Sequence, residues 1–192
     1  MKKIMLFTVV GLLSLASTAG FAQDSTMTTS AASGPNFAKL DASPMDLIEY
    51  TTNDKDVVAR IIYSRPQKRD RQVFGKLVPY GEVWRTGANE STELTLYKDV
   101  KIGSDLVKAG TYTIYTIPQE NEWTIILNNS VHTWGAYEYT DKKDQVRIKV
   151  PVKQSPNNIE SFSMAFAPTT EGQSLYIGWD DKYVEVPFTT VK

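Results

Sequence analysis

Apolar and polar residues alternate with a period of two along most of the chain after residue 44. Phe162, Met164 and Phe166 alternate with Ser161, Ser163 and Ala165. Val146, Ile148 and Val150 alternate with Arg147 and Lys149, and Val184, Val186 and Phe188 with Tyr183 and Glu185. Leu175, Ile177 and Trp179 form another set. Each set places its apolar side chains on one face of a strand. The runs Val57–Ser64 and Thr111–Ile117 are apolar or aromatic on both parities, as central strands covered on both faces are. No segment carries the apolar stripe of an amphipathic helix.

Turn signals separate the runs: Asn53-Asp54-Lys55-Asp56, Ala109-Gly110, Pro118-Gln119-Glu120-Asn121, Asn157-Asn158 and Asp180-Asp181. Pro118–Asn121 joins the run ending at Ile117 to Trp123–Leu127. Short connections make most pairings antiparallel. The pattern predicts an all-β fold, a single antiparallel β-sandwich or flattened barrel of about nine or ten strands. A short helix is expected within Arg69–Val78, with Pro79 close behind its end.

The stretch Tyr63–Thr92 breaks the alternation. It holds four of the chain's six arginines, Arg65, Arg69, Arg71 and Arg85, with Arg60 just before it. It also carries three glycines, two prolines and Trp84. A long irregular loop in a compact domain is usually functional or disordered. Its aromatic and glycine content argues against disorder.

The N-terminus reads as a secretory signal. Met1-Lys2-Lys3 is a basic start, Ile4–Leu15 an apolar core, and Gly20-Phe21-Ala22 a small-x-small cleavage site. The apolar run is shorter than the ~20 residues that span a bilayer. Absence of cysteine excludes a lipid-modified signal, disulfides and thiolate chemistry. The expected organisation is a signal peptide over 1–22, a Ser/Thr/Ala-rich flexible tether over 23–43 and one β domain over 44–192, in a periplasmic or secreted protein. Cleavage before Gln23 is expected. Intact-mass measurement of exported protein checks it, and a retained Met1–Ala22 segment would count against it. The signal takes two lysines with it, so the formal charge of −1 falls by two, to −3. A weakly acidic chain has no global electrostatic reason to bind nucleic acid.

The candidate chemistry is concentrated in two stretches. Arg85 lies between Trp84 and Thr86-Gly87-Ala88-Asn89-Glu90. A guanidinium, an amide and an indole face suit a carboxylate, a phosphate or sugar hydroxyls. The alternative is a structural pin, with Arg85 held by Glu82, Glu90 or loop carbonyls and Trp84 in the core. Arg65 and Arg71 add positive charge upstream, and Lys68-Arg69-Asp70-Arg71 is either an anion site or a solvated turn. Downstream, His132 precedes Trp134-Gly135-Ala136-Tyr137-Glu138-Tyr139, where Trp134 and Tyr137 offer faces for sugar rings or simply cover a sheet end. The candidate ligand residues are therefore Arg65, Arg71, Trp84, Arg85, Asn89, Glu90, His132, Trp134 and Tyr137.

One histidine without cysteine cannot build a standard zinc site, and neither Asp54-Lys55-Asp56 nor Asp180-Asp181 matches a calcium loop. No cofactor is called for. No nucleophile elbow, zinc-protease or phosphate-loop motif occurs. Glu82, Glu90 and Glu138 are the carboxylates available for paired glycosidase chemistry.

Taken in order, YSRP (63–66), FGKLVPYGEVWRTGANEST (74–92), AGTYTIYTIP (109–118), EW (122–123), WGAYEY (134–139) and DQVR (144–147) closely resemble a family of secreted bacterial proteins, domain of unknown function 2911. The resemblance runs from about Pro44 to Phe188. It implies one all-β domain in a bacterial envelope or secreted protein, with no established activity and no family catalytic residues to carry over. It also implies that the Asn89 and Asn128 sequons carry no eukaryotic-type glycans.

Three functions remain open at this level. The first is a binding module for a glycan or another polyhydroxylated or anionic small ligand. The second is a hydrolase or lyase using Arg85 with Glu90, His132 or a tyrosine. The third is a non-catalytic envelope scaffold.

Overall fold

A computed structural model describes residues 34–170 and 172–191. The signal-peptide reading and the first half of the tether lie outside the described residues. The domain is all-β. Nine strands form one antiparallel sheet in the order β1-β2-β3-β6-β7-β8-β9-β4-β5. They are β1 (Met45–Thr51), β2 (Val57–Ser64), β3 (Thr92–Leu96), β4 (Val100–Ile102), β5 (Asp105–Val107), β6 (Gly110–Pro118), β7 (Glu122–Asn128), β8 (Asp144–Thr169) and β9 (Gly172–Thr190). The runs read as doubly covered, Val57–Ser64 and Thr111–Ile117, are β2 and the body of β6, and both are interior to the sheet.

The sandwich is this single sheet folded over on itself. Its first and last strands, β1 and β5, do not pair, so it is not a closed barrel. The fold-over is carried by β8. Its first third, Asp144–Pro151, pairs with β7, and the remainder pairs with β9. The β8–β9 register shifts twice, between Gln154 and Ile159 and between Ile159 and Ser163. These irregularities bend the ribbon so that its far half returns over β1 and β2. Tyr50 meets Phe166 and Tyr63 meets Phe162, both with ring centroids 5.8 Å apart. The Tyr63 hydroxyl accepts the Met164 N–H at 3.0 Å. Burial holds the Tyr63 phenol above its ordinary range, against the Met164 hydrogen bond and the Arg65 charge.

Two expected turns become bulges for this reason. Asn157-Asn158 lies inside β8, and Asp180, with φ of 60°, lies inside β9 opposite Ile159. Asx residues tolerate left-handed backbone, and that tolerance serves a bulge as well as a hairpin. The helix expected within Arg69–Val78 is absent. The segment makes tight turns, with Gly75 N–H to Val78 O and Val78 N–H to Val73 O both at 2.9 Å. Val73, Phe74 and Val78 are thereby turned into the core. Among the described residues the one helical turn is a 3₁₀ turn at Asp141–Lys143, and no helix is long and apolar enough to cross a membrane.

Candidate functional site

The irregular stretch between β2 and β3 is fastened to the strands at both of its ends. Leaving β2, it pairs with β8 through Phe162 N–H to Pro66 O at 2.9 Å and Lys68 N–H to Glu160 O at 2.7 Å. Arg65 is the pin here. Its Nη1 donates to Asp46 at 2.8 Å, its Nε to the Phe162 carbonyl at 3.1 Å and its Nη2 to Ser163 Oγ at 2.8 Å. One planar guanidinium thus ties the start of the loop to β1 and β8, using its Nε–H and one N–H of each Nη group on the protein itself.

Farther on, Trp84 pairs with Thr116 of β6 through reciprocal backbone bonds of 2.8 and 2.9 Å. Its indole enters the core. It stacks on Trp179 at 6.0 Å and 17° and meets Phe162 (5.1 Å), Trp123 (6.3 Å) and Phe74 (6.4 Å) edge-on. Its Nε1–H donates to the Gly87 carbonyl at 3.1 Å. Trp84 is 8 % exposed and so offers an edge, not a free face.

The next residues carry backbone strain. Thr86 has φ of 58° and Asn89 of 57°, and a β-branched residue at positive φ is an outlier that the surroundings must impose. Thr86 is buried, and its carbonyl accepts Thr92 Oγ1 at 2.6 Å. Gly87 packs on β2, where an added Cβ would sit 3.0 Å from the Ser64 carbonyl and 3.3 Å from Thr92 Oγ1. Gly87→Ala is therefore expected to destabilise by ~1–3 kcal/mol through overpacking. A denaturant melt within error of wild type would count against this close packing.

The strained loop and the Arg69–Arg71 turn enclose a cavity of about 370 Å³. Three arginines line it, Arg69, Arg71 and Arg85, with Gln67, Asn89, Ser43 and the edges of Trp84 and Trp179. No Asp, Glu or His is among the lining residues. Arg71 is oriented by its own turn, donating Nε to Lys68 O at 3.0 Å and Nη2 to Gln67 O at 2.6 Å. Arg85 differs from the pin expected of it. Its Nε is sealed from solvent and has no hydrogen-bond partner, and among the described residues it forms no ion pair. Arg60 Nε, Trp123 Nε1 and Ser130 Oγ are also buried and unpaired, but none of these residues lines this cavity. Asp70, between Arg69 and Arg71, is exposed, and three other nearby carboxylates have partners of their own. Asp41 Oδ1 accepts Asn89 Nδ2 at 3.0 Å, Glu160 Oε1 accepts the Arg69 N–H at 2.7 Å, and Asp180 pairs with Lys68 at 3.5 Å.

The other candidates lie beyond Asn89. Glu90 and His132 line a second cavity of about 310 Å³ with Met45, Ile62, Tyr63 and Glu93. His132 is exposed and its Nδ1 lies 3.0 Å from Glu93 Oε1. Arg85 thus lines one cavity, and Glu90 and His132 another. Trp134 and Tyr137 are 59 % and 85 % exposed and line neither cavity, so they do not form a cleft with Trp84 and Arg85. Their loop is nonetheless fixed, by Gly135 N–H to Asn89 O at 3.0 Å, Ser91 N–H to Thr133 O at 3.0 Å and a bond from Ser91 Oγ to the Gly135 carbonyl. At its far end the Tyr139 hydroxyl donates to Asp144 at 2.8 Å. Burial first, and then Asp144, pushes that phenol up to about 12, which keeps it protonated at neutral pH.

A model of the family described as protein of unknown function (DUF2911) matches residues 43–188. The chain belongs to this family. No curated protein and no solved structure matches it. The match to DUF2911 spans all nine strands but for the last two residues of β9. It also contains every residue lining the arginine cavity except Ala42. Within this DUF2911 domain, sequence reasoning singled out Arg71, Trp84, Arg85 and Asn89 among the cavity residues. It missed Gln67, Leu77, Val78 and Trp179, and noted Arg69 only as part of a charge cluster. Trp179 gave no local signal, because its alternating pattern reads as any core strand does.

Proposed function

We propose that the domain is a binding module for a small anionic ligand, which it holds in the cavity of Arg69, Arg71 and Arg85. The observation that carries this is the uncompensated charge of Arg85. A buried guanidinium donor without an acceptor is unfavourable by ~1–3 kcal/mol, so proteins usually supply one. Here the wall supplies none, and the space in front contains no carboxylate. Asn89, Gln67 and Ser43 add neutral polar groups, which suits a ligand that also carries hydroxyls. A wall without Asp, Glu or His favours holding over acid–base chemistry. An envelope or secreted location is part of the proposal and rests on the basic start, apolar core and small-x-small site of residues 1–22.

The test is a thermal-shift screen of the purified protein against carboxylated, phosphorylated and sulfated small molecules and neutral sugars. A ligand at 100 times its dissociation constant adds ~2.7 kcal/mol. Anions should raise the melting temperature of wild type and not of Arg85→Ala. A panel in which neutral sugars stabilise and no anion does would overturn the reading.

A further inference from the structure

Resting on that binding reading, we infer that the anionic group held in the arginine cavity is a phosphate monoester, a dianion with three terminal oxygens on a small body. Charge is the first reason. Three guanidinium groups line one cavity without a carboxylate among the lining residues. Just outside the lining, Asp180 is paired with Lys68, Asp41 and Glu160 accept hydrogen bonds from the Asn89 amide and the Arg69 backbone, and Asp70 is exposed to solvent. Of the charges on the lining itself, a monoanion matches one of the three and a dianion two.

The arrangement of donors is the second reason. Arg71 uses two of its N–H groups on Lys68 and Gln67 carbonyls, which fixes its plane and leaves three of a guanidinium's five donors. Arg85 comes from a different segment, the strained strap before β3. On that strap Gly87 and Ala88 are buried and line the cavity, and their backbone N–H groups meet no acceptor among the described residues. Buried backbone donors are nearly always paired. Unpaired backbone N–H groups on the same lining as guanidinium groups are the donor types from which an oxyanion site is built. A planar carboxylate offers two oxygens in one plane. A phosphate offers three in three directions, which matches donors arriving from two separate segments.

The remaining wall defines the body of the ligand. Leu77, Val78 and the edges of Trp84 and Trp179 are apolar, while Gln67 and Asn89 are neutral and polar. A volume of about 370 Å³ is at the small end of the ~300–1,000 Å³ range of ligand sites, and admits one ring, not a chain.

The test is calorimetric titration of the purified protein with inorganic phosphate, glucose 6-phosphate, glucose 6-sulfate, glucuronate and glucose. Glucose 6-sulfate has the shape of the phosphate ester with one charge fewer. Glucose 6-phosphate is expected to bind at least about tenfold more tightly than the sulfate or glucuronate, with inorganic phosphate competing and glucose silent. Arg85→Gln and Arg71→Gln should each weaken it by about tenfold or more, as loss of a charge-assisted bond does. Arg71 is exposed, so its variant serves if Arg85→Gln folds poorly. Lys149→Gln, which removes a surface charge outside the cavity, should change nothing. Glucuronate binding as tightly as the phosphate ester, and lost with Arg85, sinks the phosphate inference and leaves the anion site standing. Failure of every anion sinks both. Phosphate binding indifferent to Arg71 and Arg85 sinks the inference and the assigned site together.

Discussion

Trp84→Ala is expected to destabilise the domain by roughly 3–5 kcal/mol, the range for removing a large aromatic from a packed core. For a domain of this size that lowers the melting temperature by roughly 6–20 °C. Two terms contribute. The indole is stacked on Trp179 and met edge-on by Phe74, Trp123 and Phe162, so truncation opens a void bounded by four aromatic rings. Its Nε1–H is also the donor to the Gly87 carbonyl, and Gly87 and Trp84 close the strap that carries Arg85. Trp84→Phe separates the terms. It keeps a ring in the core while losing the donor and the smaller part of the indole, so it should destabilise by less than Trp84→Ala, by ~1–3 kcal/mol. Denaturant melts of both variants decide the matter. A change below about 1 kcal/mol for Trp84→Ala, with loss of anion-dependent stabilisation, would make Trp84 a ligand platform after all.

The contrast between Trp84 and its neighbours shows what was legible before the structure. Strand positions were, because a half-buried strand writes its burial into every second residue: Phe162, Met164, Leu175, Ile177, Val184, Val186 and Phe188 are all buried. The fold-over of the sheet was not. It depends on bulges at Asn157-Asn158 and Asp180, whose Asx chemistry reads equally well as a hairpin turn. The Arg/Trp-rich loop was legible as a place, since its composition breaks the alternation. The role of each arginine within it was not. Arg65 and Arg85 are chemically the same group, and only the folded chain brings Asp46 from β1 and Ser163 from β8 to one and no acceptor to the other. The exposed Trp134 and Tyr137 likewise joined the wrong set, because an aromatic cluster in sequence does not reveal which way its loop faces.

That difference between two arginines yields the other large expected effect. Arg85→Ala should change the unfolding free energy by no more than about 0.5 kcal/mol, while weakening binding of a phosphate or carboxylate ligand by at least about tenfold. Arg65→Ala should do the reverse, destabilising by roughly 1–3 kcal/mol and leaving affinity unchanged. The argument turns on what each substitution leaves behind. Removing Arg65 strips the Phe162 carbonyl, Ser163 and Asp46 of a common donor and loosens the loop from β1 and β8. Its ion pair with Asp46 is about one-third exposed on each side, so screening discounts that part, and the two bonds to β8 carry most of the effect. Removing Arg85 leaves no acceptor orphaned. It deletes a sealed, unpaired donor and relieves repulsion from Arg69 and Arg71 across the cavity, which offsets the packing lost with its aliphatic stem. Chemical denaturation of the two variants, with and without an anion from the thermal-shift screen, measures all four quantities. A destabilisation of Arg85→Ala by about 2 kcal/mol or more with affinity intact would place Arg85 in the scaffold and leave the cavity without its anchor.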